Sequence, residues 1–508
     1  MTLTYMRKTK KENFLGAFVI LLLLSFFTGN AQVGIGTSSP NPAAALEITS
    51  TSQGLLPPRM KASERNAIIN PPAGLVIWCS DCGDNGELQV FNGLTFTNIV
   101  GDESSVTPRT QLGSILGGNN DCFGSAVGLS SDGSILAVGA PRSDINGYDA
   151  GHVRAYEFNS GSWIQLGNDI DGEAAYDYSG ISLSLCSDGT TVAVGAPRND
   201  GNGLSSGHLR VYRYNSGSWV QLGGDIDGDA ADDYLGGGEE TGGFPEPASS
   251  ISLSSDGSIV AVGAPRNDGN GSDAGHVRVY EFNSGSWIQL GSDIEGEAAG
   301  DLSGFSISLS SDGSLVAVGA PRNDGNGSDA GHVRVYEFNS GSWTQLGNDI
   351  DGEATYDQFG KAVSLSANGS IVAVGAPRND GNGSDAGHVR VYEFNSGSWT
   401  QLGNDIDGEA TNDWFGKAVS LSANGSILAA GASGNDGNGT DAGHVRVYEY
   451  NSGSWTQLGR DDNGVDQYNR YGISLNISSD GTKLVIGAVG YNGIGSARVI
   501  TDLKTTGL

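Results

Sequence analysis

The stretch PRNDGNGSDAGHVRVYEFNSGSW begins at Pro265, and the identical letters begin again at Pro321 and at Pro377. A sentence repeated at a fixed interval constrains the fold more tightly than composition does. Each copy must be one supersecondary unit that cannot bury its apolar face alone, so neighbouring copies have to stack. The glycine of the Gly-His-Val/Leu-Arg element measures the interval. It falls at Gly151, Gly207, Gly275, Gly331, Gly387 and Gly443, with spacings of 56, 68, 56, 56 and 56 residues. A degraded copy, Gly495-Ser496-Ala497-Arg498, follows 52 residues after Gly443, which makes seven units. All six histidines occupy this one position.

Within a unit four strands are expected, and the fifth copy is representative. Phe359 to Ser366 alternates in part and ends at Asn368-Gly369, a pair expected to form a two-residue type I′ hairpin turn with positive φ at both residues. Ile371 to Ala376 is continuously apolar, as a strand buried on both faces should be, and Pro377 stops it. His388 to Phe394 and Trp399 to Leu402 follow, joined by the turn Asn395 to Ser398. Gly 81 of 508 and only 17% charged residues agree with short strands and tight turns. The expected fold is all-β: a seven-bladed β-propeller of four-stranded antiparallel blades, preceded by a small strand-rich N-terminal module.

The ends of the array argue for closure. Arg109 to Gly113 copies a fourth strand with no first three before it, and Ala497 to Ile500 is a third strand with no fourth after it. Pairing the two would remove both exposed edges, so the N-terminal strand is expected to complete the last blade.

At these residues the chain resembles the FG-GAP repeat family, the propeller of integrin α subunits and of many bacterial secreted and surface proteins. The likeness rests on Phe359-Gly360, on Val374-Gly375-Ala376-Pro377 and on Gly387-His388-Val389-Arg390-Val391-Tyr392. It implies a propeller and extracellular binding. The family's calcium loop lies between the first and second strands, where this chain has only a tight turn, so that site does not carry over.

The expected organisation is a signal peptide over 1–31, an N-terminal module of unknown role over 32–107 and the propeller over 108–508. Arg7, Lys8, Lys10 and Lys11 precede an apolar run from Phe14 to Phe27, with Gly29-Asn30-Ala31 before the cleavage point. No later segment has the apolar length to span a membrane. Cys79 and Cys82 are close enough in sequence for a disulfide, whereas Cys122 and Cys186 start and end equivalent strands of different units and should be free thiols.

A net charge of -31 disfavours nucleic acid and anionic membranes, and favours cations or a basic partner. Roughly forty of the 58 acidic residues lie in the loops after the second and fourth strands, which emerge at one end of an up-and-down sheet. As a cation site, with Ca2+ as the ion, Asp349, Asp351, Glu353 and Asp357 would form one oxygen set, and Asp380, Asn382 and Asp385 another. The alternative is that these are solvated turn residues.

The recurring histidine is read as structural, because its copies are separated by rotation and do not converge as a catalytic set must. Arg378 is read as a surface ion-pairing residue and the Trp of Gly-Ser-Trp as packing. Asymmetry points to ligand binding. The third unit carries an acidic insert around Gly236 to Ala248, with Glu239, Glu240 and Phe244, and Trp414 stands alone in the sixth unit's loop. The expected function is a secreted or cell-surface binding and adhesion protein whose acidic face meets an extracellular protein or glycan. The alternatives are a polysaccharide-acting hydrolase or lyase, and a structural spacer without catalysis.

Overall fold

A computed structural model describes residues 110–237, 248–490 and 494–503, with 240–241 and 244–245 between them. In the N-terminal part it describes 33–35, 46–48, 56–68, 71–72, 75–80, 82, 87–91 and 96–98. The chain divides into two compact units, Met1–Ser105 and Val106–Leu508.

In the first unit Val33–Ile35 pairs in parallel with Leu46–Ile48. A four-stranded sheet joins Arg59–Met60, Val76–Cys79, Glu87–Phe91 and Phe96–Asn98. The helix Ala62–Asn66 is the one helix among the described residues. A Cys79–Cys82 disulfide forms as expected, and Cys122 and Cys186 are free. The signal peptide read in 1–31 lies outside the described residues, and no described helix is long and apolar enough to cross a membrane.

The second unit is built from repeated four-stranded antiparallel sheets in a propeller-like arrangement. In one of them Ala362–Leu365, Ile371–Ala376, His388–Asn395 and Ser398–Gln401 lie in chain order. Val363 faces Val374, Val374 faces Arg390, and Phe394 faces Trp399. The same order recurs in sheets that begin at Val127–Leu129, Ser182–Leu185, Ile251–Leu253, Ser306–Leu309 and Phe415–Leu421. The last sheet takes its outer strand from the start of the array. Thr110–Asn119 pairs antiparallel with Ile494–Thr501, Gly113 opposite Val499 and Gln111 opposite Ile500. The apolar cores lie between sheets. One holds Val333 and Val335 against Val363, Val372 and Phe359, and another holds Phe123, Leu136 and Val138 against Val485 and Val499, so the first and last sheets pack together.

Two devices join every sheet to the next. At the turns between first and second strands, the amide of Ser131 donates to the Ser187 carbonyl, Ser187 to Ser255, Ser255 to Ser311, Ser311 to Ala367, Ala367 to Ala423 and Ala423 to Ser479; Ser479 then donates back to Ser131. The second device explains the two glycine-bearing motifs. A β-carbon on Gly375 of the Val-Gly-Ala strand would lie 1.9 Å from the carbonyl oxygen of Gly416, and the same conflict couples Gly319 to Gly360 and, across the seam, Gly487 to Gly124. The sheets approach this closely only where both residues are glycine.

The expected type I′ turn is corrected. Five residues, 366–370, lie between the strands. The Ser366 amide bonds the Ile371 carbonyl (2.8 Å), and of the central pair Gly369 alone has positive φ (71°). Asn368 serves as an acceptor instead: its Oδ1 takes the Ser370 amide at 3.1 Å and hydroxyl at 2.9 Å. Its side chain satisfies the turn's donors, so only the glycine has to enter the left-handed region.

Candidate functional site

The long loops are more ordered than the sequence suggests. In six of the sheets the chain adds a two-residue strand after the fourth, such as Ile406–Asp407, which pairs with the start of the third strand at His388 and Val389. This turn-back carries one carboxylate to each side of the next junction.

There the recurring Arg and His meet them. Arg390 donates from Nε to Asp405 Oδ1 (3.0 Å) and from Nη2 to Oδ2 (2.8 Å), a bidentate pair within its own unit, and it also pairs with Glu353 from the preceding loop. His388 lies beneath, its Nδ1 3.8 Å from Glu353. Four further junctions repeat this: Glu173 with His208 and Asp225, Asp229 with His276 and Asp293, Glu297 with His332 and Asp349, Glu409 with His444 and Asp461. Burial pushes His152, His208, His332 and His388 down to about 4, and the neighbouring arginine adds to the shift. These imidazoles are neutral at pH 7. Glu, His and Asp within reach of one another resemble a transition-metal ligand set. An arginine already bridges both carboxylates, however, so a cation would have to displace a guanidinium.

The structure separates the first proposed calcium set. Asp349 pairs with Arg334, whereas Glu353 pairs with Arg390 on the next sheet. Asp357 is buried and accepts the Asn379 side-chain amide at 2.9 Å. Asp351 is exposed. In the second set, Asp380 Oδ1 accepts the Asp385 amide (2.9 Å), and Asn382 Nδ2 donates to the Gly408 carbonyl (2.7 Å). The family's calcium position does not fit here, because the acceptor of the first-to-second-strand turn is taken up by serine donors.

Trp414 is half-buried at positive φ (55°), with Arg470 5.7 Å and Lys417 5.9 Å from its ring centroid. Glu239 lies outside the described residues. For Glu240 and Phe244 the backbone alone is described, as opposed pieces of a small hairpin. The Trp of Gly-Ser-Trp packs between sheets and donates across the junction: Trp399 Nε1 bonds the Leu346 carbonyl at 2.9 Å. Sequence reading missed the Arg–His–carboxylate junction. Its signal was the constant phase of Glu353, His388 and Arg390 in successive units.

Two junctions depart from the pattern: at the last, Ser496 stands at the histidine position and Arg498 pairs with Asp462 (3.1 Å), and the other is the first. In the first unit Arg154 chelates Asp169 (3.0 and 2.7 Å), yet the preceding segment, two residues shorter between Gly113 and Phe123 than between Gly347 and Phe359, has no counterpart of Glu353, and its one carboxylate, Asp121, accepts backbone amides instead. His152 is 1% exposed, and neither ring nitrogen has a hydrogen-bond partner among the described residues. A cavity of about 710 Å3 opens there, lined among others by Asp121, Arg142, Ser143, Ile145, Tyr148, His152 and Arg154.

Residues 34–111 match the family described as the phage tail like trimerisation region, and residues 350–392 match the FG-GAP repeat. No curated protein sequence matches the chain. Among solved structures it is similar to a putative 6-phosphogluconolactonase from Bacteroides uniformis, with 12% identity, 75% of this chain and 93% of that one covered, and a TM-score of 0.47. It is similar also to the Kuenenia stuttgartiensis hydrazine synthase, with 12% identity, 77% and 97% covered, and a TM-score of 0.48. The matched repeat spans the Asp351 loop, Gly360 and the strands that carry Gly375 and His388, so the chain carries an FG-GAP repeat over residues 350–392.

Proposed function

We propose that residues 108–508 form one closed seven-bladed propeller, and that the chain is a secreted or cell-surface binding protein whose acidic loops meet an extracellular protein or glycan. The hydrogen bonds that lead from Ser131 through each turn and back to Ser131 support closure. The observation that carries the binding reading is the fixed presentation of carboxylates. The arginine at each of five junctions holds one from either side on a rigid framework, and rigidly held loops suit recognition of a basic or hydroxyl-rich surface.

Calcium enters this reading as a ligand shared between loops and partner. Of the residues assigned to it, Asp351, Asp380 and Asn382 are exposed and Asp385 is half-buried, whereas Asp349 and Glu353 would first have to release their arginines. Trp414 and the insert bearing Glu239, Glu240 and Phe244 are proposed as partner-contacting positions. The match over 34–111 is the ground for proposing that the N-terminal module assembles three chains. Three propellers on one base would turn weak individual contacts into avidity.

Retention of the full chain on glycan and extracellular-protein arrays, with and without EDTA, tests the reading. Capture that EDTA abolishes supports calcium-dependent adhesion, and EDTA-resistant capture supports binding without calcium. Turnover of a retained glycan would replace it with the hydrolase or lyase alternative, and retention on nothing would leave a structural spacer.

A further inference from the structure

We propose that the cavity beside His152 is a binding site for a ring-bearing carboxylate, whose acid group takes the position that the missing preceding-loop carboxylate leaves at Arg154. The inference goes beyond the adhesive reading and does not depend on it. It rests on how this junction departs from the others.

In the five regular junctions one arginine takes two carboxylates, one from each flanking loop. Arg154 takes Asp169 alone among the described residues, and the buried imidazole below it has neither nitrogen bonded. Burial keeps His152 neutral at pH 7, so it can offer an N–H to an anionic oxygen. Three carboxylates already line the cavity, and each is engaged: Asp149 pairs with Arg142 at 3.1 Å, Asp121 accepts the backbone amides of Gly118 and Phe123, and the exposed Asp144 accepts the Asp149 amide at 2.8 Å.

Three substitutions within the repeat open the same space. Where other units have Asn379, whose amide bonds Asp357 across the junction, the first has the shorter Ser143. Where they have Gly381, it has Ile145. A β-carbon on Gly381 would meet Asn379 Oδ1 at 2.8 Å, so an isoleucine there would push the asparagine side chain aside, and the shorter Ser143 removes that conflict. Where three units have serine, as at Ser384, the first has Tyr148. Ile145 and Tyr148 are 57% and 55% exposed, and the Tyr148 ring lies 5.3 Å from that of the exposed Tyr176. The result is a polar floor under an apolar, aromatic rim. That combination suits a carboxylate on a ring, whether the ring is a sugar presenting its C–H face or an aromatic.

Calorimetric titration of the full chain with glucuronate, benzoate and glucose tests this. One saturable site for glucuronate or benzoate, with none for glucose, is the expected result, and which acid binds tells the uronic from the aromatic source. The variant S143N/I145G/Y148S restores the residues of the third, fourth and fifth units and so keeps a loop sequence this fold already accommodates. It should weaken binding by about tenfold or more while leaving the unfolding temperature unchanged. No saturable uptake of either acid at millimolar concentration, equal uptake of glucose, or undiminished binding by the folded variant would each overturn the proposal.

Discussion

Gly375 and Gly416 stand so close that a single β-carbon on the first would lie 1.9 Å from the carbonyl oxygen of the second. The contact is backbone against backbone, so no rotamer can relieve it. Gly375→Ala should destabilise the protein by about 3 kcal/mol, at the upper end of overpacking costs. Gly224, with nothing within 4 Å of its would-be β-carbon and no positive φ, is the control; Gly224→Ala should change stability by less than about 0.5 kcal/mol. Denaturant unfolding of the two variants compares them directly. Equal midpoints would mean that the sheets are not in face-to-face contact.

The tryptophans separate packing from hydrogen bonding. Trp399 Nε1 donates to the Leu346 carbonyl of the preceding unit, whereas Trp163, at the seam, has its Nε1 buried with no hydrogen-bond partner among the described residues. Trp399→Phe should therefore cost about 1 kcal/mol more than Trp163→Phe, the difference being one inter-sheet hydrogen bond. Midpoints from urea titration give both values, and a larger loss at Trp163 would contradict the assignment of the bond.

Acid should weaken the fold through the histidines. Their folded-state values, about 4 for His152, His208, His332 and His388, lie below the ordinary 6.5. Between those limits the unfolded chain binds more protons, so stability is full above about pH 6.5 and falls as pH drops toward 4. Each such histidine contributes up to about 1.4 kcal/mol per pH unit. Asp349 and Asp405, held low by their hydrogen bonds to arginine, extend the loss to lower pH. Buried Asp357, pushed up by desolvation, works in the opposite sense. Unfolding temperatures across this range should slope downward toward acid, and His388→Gln should flatten the slope by about one proton. A flat profile would mean that the imidazoles are not buried neutral.

The fold was largely legible because each unit repeats the same chemistry. Pro377 ends a strand, Gly387 opens the next, and the incomplete ends at Gln111 and Val499 complement each other. The turn at Asn368-Gly369 was misread because the dipeptide fits a type I′ turn as well as a longer loop, and only the Ser366 and Ser370 donors decide between them. The junction chemistry was hidden for a different reason. Glu353 and Arg390 are distant in sequence and meet only once consecutive sheets stack, so acidic loops that look free for a cation turn out to be held by arginine. The seam cavity was hidden likewise. Ser143 and Ile145 look like drift in a repeat until the Asn379–Gly381 contact shows that the two positions touch.

The N-terminal unit supplies the last prediction. Its buried apolar cluster among the described residues is small: Ile77, Cys79 and Cys82, with Met60, Ala62 and Leu75 against them. The trimerisation match over 34–111 puts a further source of stability to the test, since association of three chains would add to this cluster and to the Cys79–Cys82 bridge. Light scattering on the full chain at micromolar concentration should give about three times the mass of one chain. Dilution should lower that mass and, in parallel, the protease resistance of the N-terminal unit, while the repeated sheets stay resistant. A single-chain mass with the N-terminal unit equally resistant at every concentration would show that it folds alone, and would remove the grounds for a multivalent assembly.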